Sequence, residues 1–72
     1  MNENINTKIA ECEDSTRDAE RAIESALQAI CSLGGAAEVD EVRKSLNDAL
    51  ELVVRNIHGM YRLYDNPEIK VY

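Results

Sequence analysis

The single histidine, His58, has Glu51, Arg55 and Arg62 near it at helical spacing, so all four share one outer face of any helix that carries them. An imidazole can serve as a general base, but that work needs an orienting partner and a pocket. A surface of two helices supplies neither. The residue reads as solvated, near a helix C-terminus that favours a cation. Cys12 and Cys31 lie 19 residues apart in one helical pattern, roughly 28 Å on a straight helix and beyond disulfide reach. With no C-x-x-C and one histidine, zinc has no ligand set within one chain. The thiols read as reduced, small core residues. Gly34-Gly35 is not followed by the Lys and Ser or Thr of a phosphate loop, and reads as a turn. The expectation is a non-enzyme without metal or cofactor.

Carboxylates and tyrosines carry more information. Residues 11–24 hold Glu11, Glu13, Asp14, Asp18, Glu20 and Glu24 against Arg17 and Arg21. Asp14 and Asp18 stand one helical turn apart, a repulsive spacing. Glu11, Asp14 and Asp18 make a negative strip that a basic groove could accept, as in a nucleic-acid mimic. A solvated face near a helix N-terminus accounts for them equally in kind. Calcium wants convergent loop oxygens, which helical carboxylates do not supply. All three aromatic residues, Tyr61, Tyr64 and Tyr72, fall in the last dozen positions. Tyrosine offers area, a polar tip and few rotors, and is enriched at binding hot spots. Tyr64, Ile69, Val71 and Tyr72 are therefore expected to meet a protein partner, the tail adding a strand to a sheet edge. The competing expectation is that Ile69, Val71 and Tyr72 fold back and cap the open end of the helices.

Two helices and a tail must position these groups. The first spans about Asn4 to Leu33, with a seam at Ile5, Ile9, Cys12, Thr16, Ala19, Ile23, Ala26, Ile30 and Leu33 in alternating steps of four and three. The second spans about Ala37 to Tyr64, with Val39, Val42, Leu46, Ala49, Val53, Ile57, Met60 and Tyr64. Pro67 disfavours helix at Asn66. The tail, 65–72, alternates polar and apolar, a weak strand signal. So short a loop requires an antiparallel hairpin. Folding at the glycines sets Ile30 against Val42, Ala26 against Leu46, Ala19 against Val53 and Cys12 against Met60, small facing large.

Composition sets the class. Seventy-two residues, 44% of them apolar, make one small domain and not a disordered chain. A net charge of −6 argues against direct binding to a phosphate backbone. No apolar run approaches the roughly 20 residues of a membrane span. MNENINTKIAECEDS lacks the basic and apolar blocks of a signal peptide, so the expected location is cytoplasmic. A lone core of this size supplies about 3–5 kcal/mol, and the second helix has more apolar surface than one partner helix covers. Leu27, Leu50, Val54, Ile57 and Tyr61 are expected to form a homodimer interface, giving a four-helix bundle. The function expected is interaction with one protein partner, by inhibition, sequestration or adaptor action. The alternatives are the nucleic-acid mimic and a co-chaperone completed by a larger helical partner. In outline such a hairpin is similar to small co-chaperones of bacterial secretion systems and to small phage-encoded inhibitors.

Overall fold

The computed structural model describes residues 3–70 of the chain. Two helices in contact make an all-α hairpin: α1, Glu3–Ile30, and α2, Ala37–Met60. Neither contains proline, and glycine enters only at Gly59, within the last turn of α2. Glu38 and Asp40 in the first turn of α2 suit the helix dipole. Side chains early in α1 bond to residues just past α2, Asn6 to Asp65 and Glu13 to Tyr64, so the helices run antiparallel.

Both helices stop short of the lengths that periodicity predicts, and for the same reason. After Ile30 the backbone tightens: Ser32 N–H donates to Ala29 and Leu33 N–H to Ile30, each three residues back. After Met60, Arg62 N–H donates to Gly59 and Leu63 N–H to Met60 in the same way. Leu33 thus leaves the seam and stands 59% exposed. Gly35 takes the left-handed conformation, φ 88°, that turns the chain into α2. Arg43 of α2 reaches back across the turn, donating to the Leu33 carbonyl at 3.4 Å while pairing with Asp40 at 2.9 Å. At the other end Asp65 is left-handed, φ 59°. It is held there by a reciprocal pair: Asn6 Nδ2 donates to Asp65 Oδ1 at 3.1 Å, and Asp65 N–H donates to Asn6 Oδ1 at 3.2 Å. Aspartate tolerates this conformation better than most residues. Residues 66–70 form turns and not a strand: Ile69 N–H donates to the Asn66 carbonyl.

The seam follows the expected one over α2, where Val39, Leu46, Ala49, Val53, Ile57, Met60 and Tyr64 are half-buried or buried, and is rotated in part on α1. Ile9, Thr16, Ile23 and Ile30 are covered, as the spacing predicts, and so is Ala26. The other positions between them differ. Cys12 and Ala19 are exposed, while Glu13, Glu20 and Leu27 are half-buried. On α2, Val42 is 48% exposed and Arg43 half-buried, and Leu50 and Val54 share the covered side with Val53. The larger side chains decide this. Full burial of a leucine or valine is worth roughly 1.5–3 kcal/mol, and an alanine offers much less area. Covering Leu27, Leu50 and Val54 exposes the smaller residues. Cys12 and Cys31 are accordingly exposed thiols, not core filler. Thr16 stays in the seam because its hydroxyl donates to the Cys12 carbonyl at 2.7 Å within its own helix.

Ile9 and Ile57, at 7% and 3% exposure, are the buried apolar residues among those described. The rod measures 55 × 19 × 16 Å, with a radius of gyration of 16.4 Å, against roughly 11 Å for a compact globule of this length. No helix among the described residues is long and apolar enough to cross a membrane.

The turn geometry gives a direct test. Gly34 and Gly35 both have open space where a Cβ would go, and Gly35 alone of the two has positive φ. Gly35→Ala should cost about 1 kcal/mol and lower the thermal midpoint by roughly 4–8 °C, while Gly34→Ala changes it little. Equal effects at the two positions, read by circular dichroism, would refute the assigned turn.

Candidate interaction surface

Rotation of the helices gives the hairpin two unlike broad sides. One carries a polar inlay at the open end. Glu13, its side chain 14% exposed, accepts from Arg17 Nη2 through Oε1 and from the Tyr64 hydroxyl through Oε2, both at 3.1 Å. The same Arg17 nitrogen donates to the Tyr61 hydroxyl at 2.7 Å. Two side chains, Arg17 and Tyr64, thus satisfy a carboxylate that is drawn inward, and Tyr61 completes the set on Arg17. Arg17 is held above its ordinary pKa, first by the bond to Glu13 and then by the charge interaction with Tyr61, so it stays a cation throughout. Withdrawal from water, then the bond to Glu13, push the Tyr64 phenol above its ordinary value.

The opposite side is largely apolar, with Lys8 and Lys70 at its open end. A groove of about 320 Å³ lies between the start of α1 and the returning tail, lined by Ile5, Lys8, Ile9, Cys12, Leu63, Ile69 and Lys70. A second of similar size is lined by Thr16, Asn56, Gly59, Met60 and Leu63. Leu63 borders both, which places the Cys12 flank of α1 and the Leu63 flank of α2 on the same side. Heptad spacing continues each flank. On α1 it runs Cys12, Ser15, Ala19, Ala22, Ala26 and Ala29, with Leu33 in the turn beyond the helix. On α2 it runs Val42, Ser45, Ala49, Leu52, Asn56 and Gly59, with Leu63 past the helix end; Ala26 and Ala49 are half-buried and the others exposed. No member of either stripe is charged, in a chain with 14 acidic and 8 basic residues. The exposed large aliphatics Leu33, Val42, Leu52 and Leu63 all belong to these stripes, at 59%, 48%, 55% and 37% exposure.

The residues singled out from sequence are divided by this geometry. Of the expected dimer surface, Leu27, Leu50 and Val54 are half-buried within the hairpin. Ile57 is 3% exposed and has no area left for an outside partner. Tyr61 is 55% exposed but bonded to Arg17, on the polar side. Tyr64 is drawn in toward Glu13. Ile69 is half-buried and folds back over Ile5 and Ile9. Val71 and Tyr72 lie outside the described residues. Glu11, Asp14 and Asp18 are exposed, Asp18 pairing with Arg21 at 3.3 Å; exposed pairs of this kind contribute little. His58 is exposed. Among the described residues no three His, Cys, Asp or Glu side chains are placed to hold a metal ion. The uncharged flank is the signal that seam counting passes over: Cys12 and Ala19, expected in the hairpin core, are exposed on it. Glu13, Arg17 and the two tyrosines are linked across 44 to 51 residues, a pairing no local spacing announces.

No family model, curated protein or solved structure matches the chain.

The inlay predicts an alkaline signature. An unfolded chain loses the Tyr64 proton near pH 10, the folded chain later. Above about pH 10 the folded state therefore holds more protons, and this share of stability, intact below, falls away as pH rises. Between about pH 9 and pH 11 the thermal midpoint of the wild type should drop further than that of Tyr64→Phe. Parallel slopes in the two proteins would show that the Tyr64–Glu13 bond carries no such weight.

Proposed function

We propose that this chain is a non-enzymatic interaction protein, which binds a protein partner and modulates it by inhibition, sequestration or adaptor action. One observation supports the reading above others: the hairpin leaves much of its apolar surface uncovered. Its accessible surface is 5550 Å² for 8.1 kDa, against about 4,500 Å² for a compact monomer of that mass. Exposed large aliphatics, here Leu33, Val42, Leu52 and Leu63 along one side, are the usual mark of association. The polar inlay gives the same molecule a second, differently built side. There an exposed tyrosine and a paired arginine stand together, two residue types enriched at binding hot spots.

The tyrosine-rich end is the surface this reading assigns to the partner. Affinity capture from the cells that make the chain, comparing wild type with Tyr61→Ala, tests it. One protein retained in near-equal amount by the wild type, and reduced about tenfold or more by Tyr61→Ala, is expected; a loss of 1.4 kcal/mol suffices. Retention unaffected by the substitution, or no protein retained above background, would overturn the assignment.

A further inference from the structure

We infer that the largely apolar side is the seat of a second copy of this chain, the two hairpins related by a two-fold axis that runs along the rod with both Gly-Gly turns at the same end. The inference rests on the reading of the chain as an interaction protein and assigns one of its two sides. It differs from the surface that sequence suggests, because Ile57 is buried and Leu27, Leu50 and Val54 are half-buried within the hairpin, while most of the stripes through Ala22 and Leu52 is exposed.

Shape selects the arrangement. The two stripes are unequal: α1 offers the low surface of Cys12, Ala19, Ala22, Ala26 and Ala29, and α2 offers the ridge of Val42, Leu52 and Leu63. An axis along the rod lays α2 of each copy, antiparallel, over α1 of the other. The ridge then enters the low stripe twice, at equal levels, with Leu52 over Ala22 and Leu63 over Cys12. An axis across the rod would instead set ridge on ridge and low stripe on low stripe, leaving gaps that cost the packing its dispersion energy. Charge permits the contact. Each copy carries −6, and the stripes themselves add no like-charge cost to the contact; Lys8 and Lys70 border it at the open end. The area is that of a small interface. Each stripe runs about 32 Å at 1.5 Å per residue along a side 19 Å wide, about 600 Å² in projection, the low end of what specific interfaces bury per partner. The surplus of the single hairpin over a compact monomer is of the same order. The result is a four-helix bundle in which Ile9, Thr16, Ile23 and Ile30 sit between the two seams.

Light scattering on the full chain at micromolar concentration should give twice the mass of 8.1 kDa. Leu52 is 55% exposed in the hairpin, so Leu52→Asp removes little intramolecular packing, and circular dichroism of the variant checks that the hairpin is kept. It should weaken self-association about tenfold or more, whereas Arg55→Ala, on the outer face, should not. Disulfide trapping reads the geometry independently of folding effects. In a Cys12→Ser, Cys31→Ser background, chains bearing Ala22→Cys are mixed with chains bearing Leu52→Cys and oxidised mildly. A covalent dimer in the mixture, and in neither chain alone, is expected. A monomeric wild type, a dimer indifferent to Leu52→Asp, or links formed as readily between like chains would overturn the inference. A monomer that still captures its partner through Tyr61 would remove this inference and leave the proposed function standing; a dimer that captures none would do the reverse.

Discussion

Two helices touch along one line, and each of these helices has apolar side chains on both flanks of that line. Rotation about the two axes decides which flank is covered. The hairpin covers the flank with Leu27, Leu50 and Val54, the larger area, and the rest of the structure answers to that choice. Glu13 and Arg17 are carried inward with it, and a carboxylate losing water must find donors. It finds them in Arg17 and Tyr64, with Tyr61 completing the set on Arg17. The tyrosines therefore hold the open end of the rod together, and their place late in the sequence follows from the place of Glu13 early in it.

The same choice explains the surface. Covering one flank leaves Val42, Leu52 and Leu63 on the other, beside a row of alanines. A monomeric rod would gain nothing from so long an uncharged stripe, and an ordinary solvated face would interrupt it with lysine or glutamate. The seven-residue repeat on that flank is kept as strictly as the repeat in the seam, although most of its members are exposed in a single chain. A pattern maintained without an intramolecular reason is the kind of local-to-global mismatch that points outside the chain.

Much of this was legible before any coordinates. Steps of four and three gave two helices, Gly34-Gly35 gave the turn, and a short loop forced them antiparallel. Ile9, Thr16, Ile23 and Ile30 were placed correctly because one position of the repeat is fixed by periodicity. The alternate position was not, since Cys12 and Glu13, or Ala19 and Glu20, are neighbours 100° apart, and hydropathy prefers the apolar member of each pair. Polar tips hid the better packing: the stems of Glu13 and Arg17 cover apolar surface while their ends bond. The helix ends were placed three and four residues late because tightened three-residue turns keep helical spacing of side chains while ending the regular ladder. The fold-back of Ile69 stood as one of two readings of the tail, and five alternating residues could not have chosen between them.

The reciprocal pair of Asn6 and Asp65 gives the rod a polarity. It gathers the incoming and outgoing chain at one pole and leaves the Gly-Gly turn as a free tip at the other, across a 55 Å body. A segment fused ahead of α1 and one fused behind the tail would both start from the same pole of the rod. A circular link across that pole, with new termini opened at Gly34, would move both starting points to the other pole and leave the helices as they are.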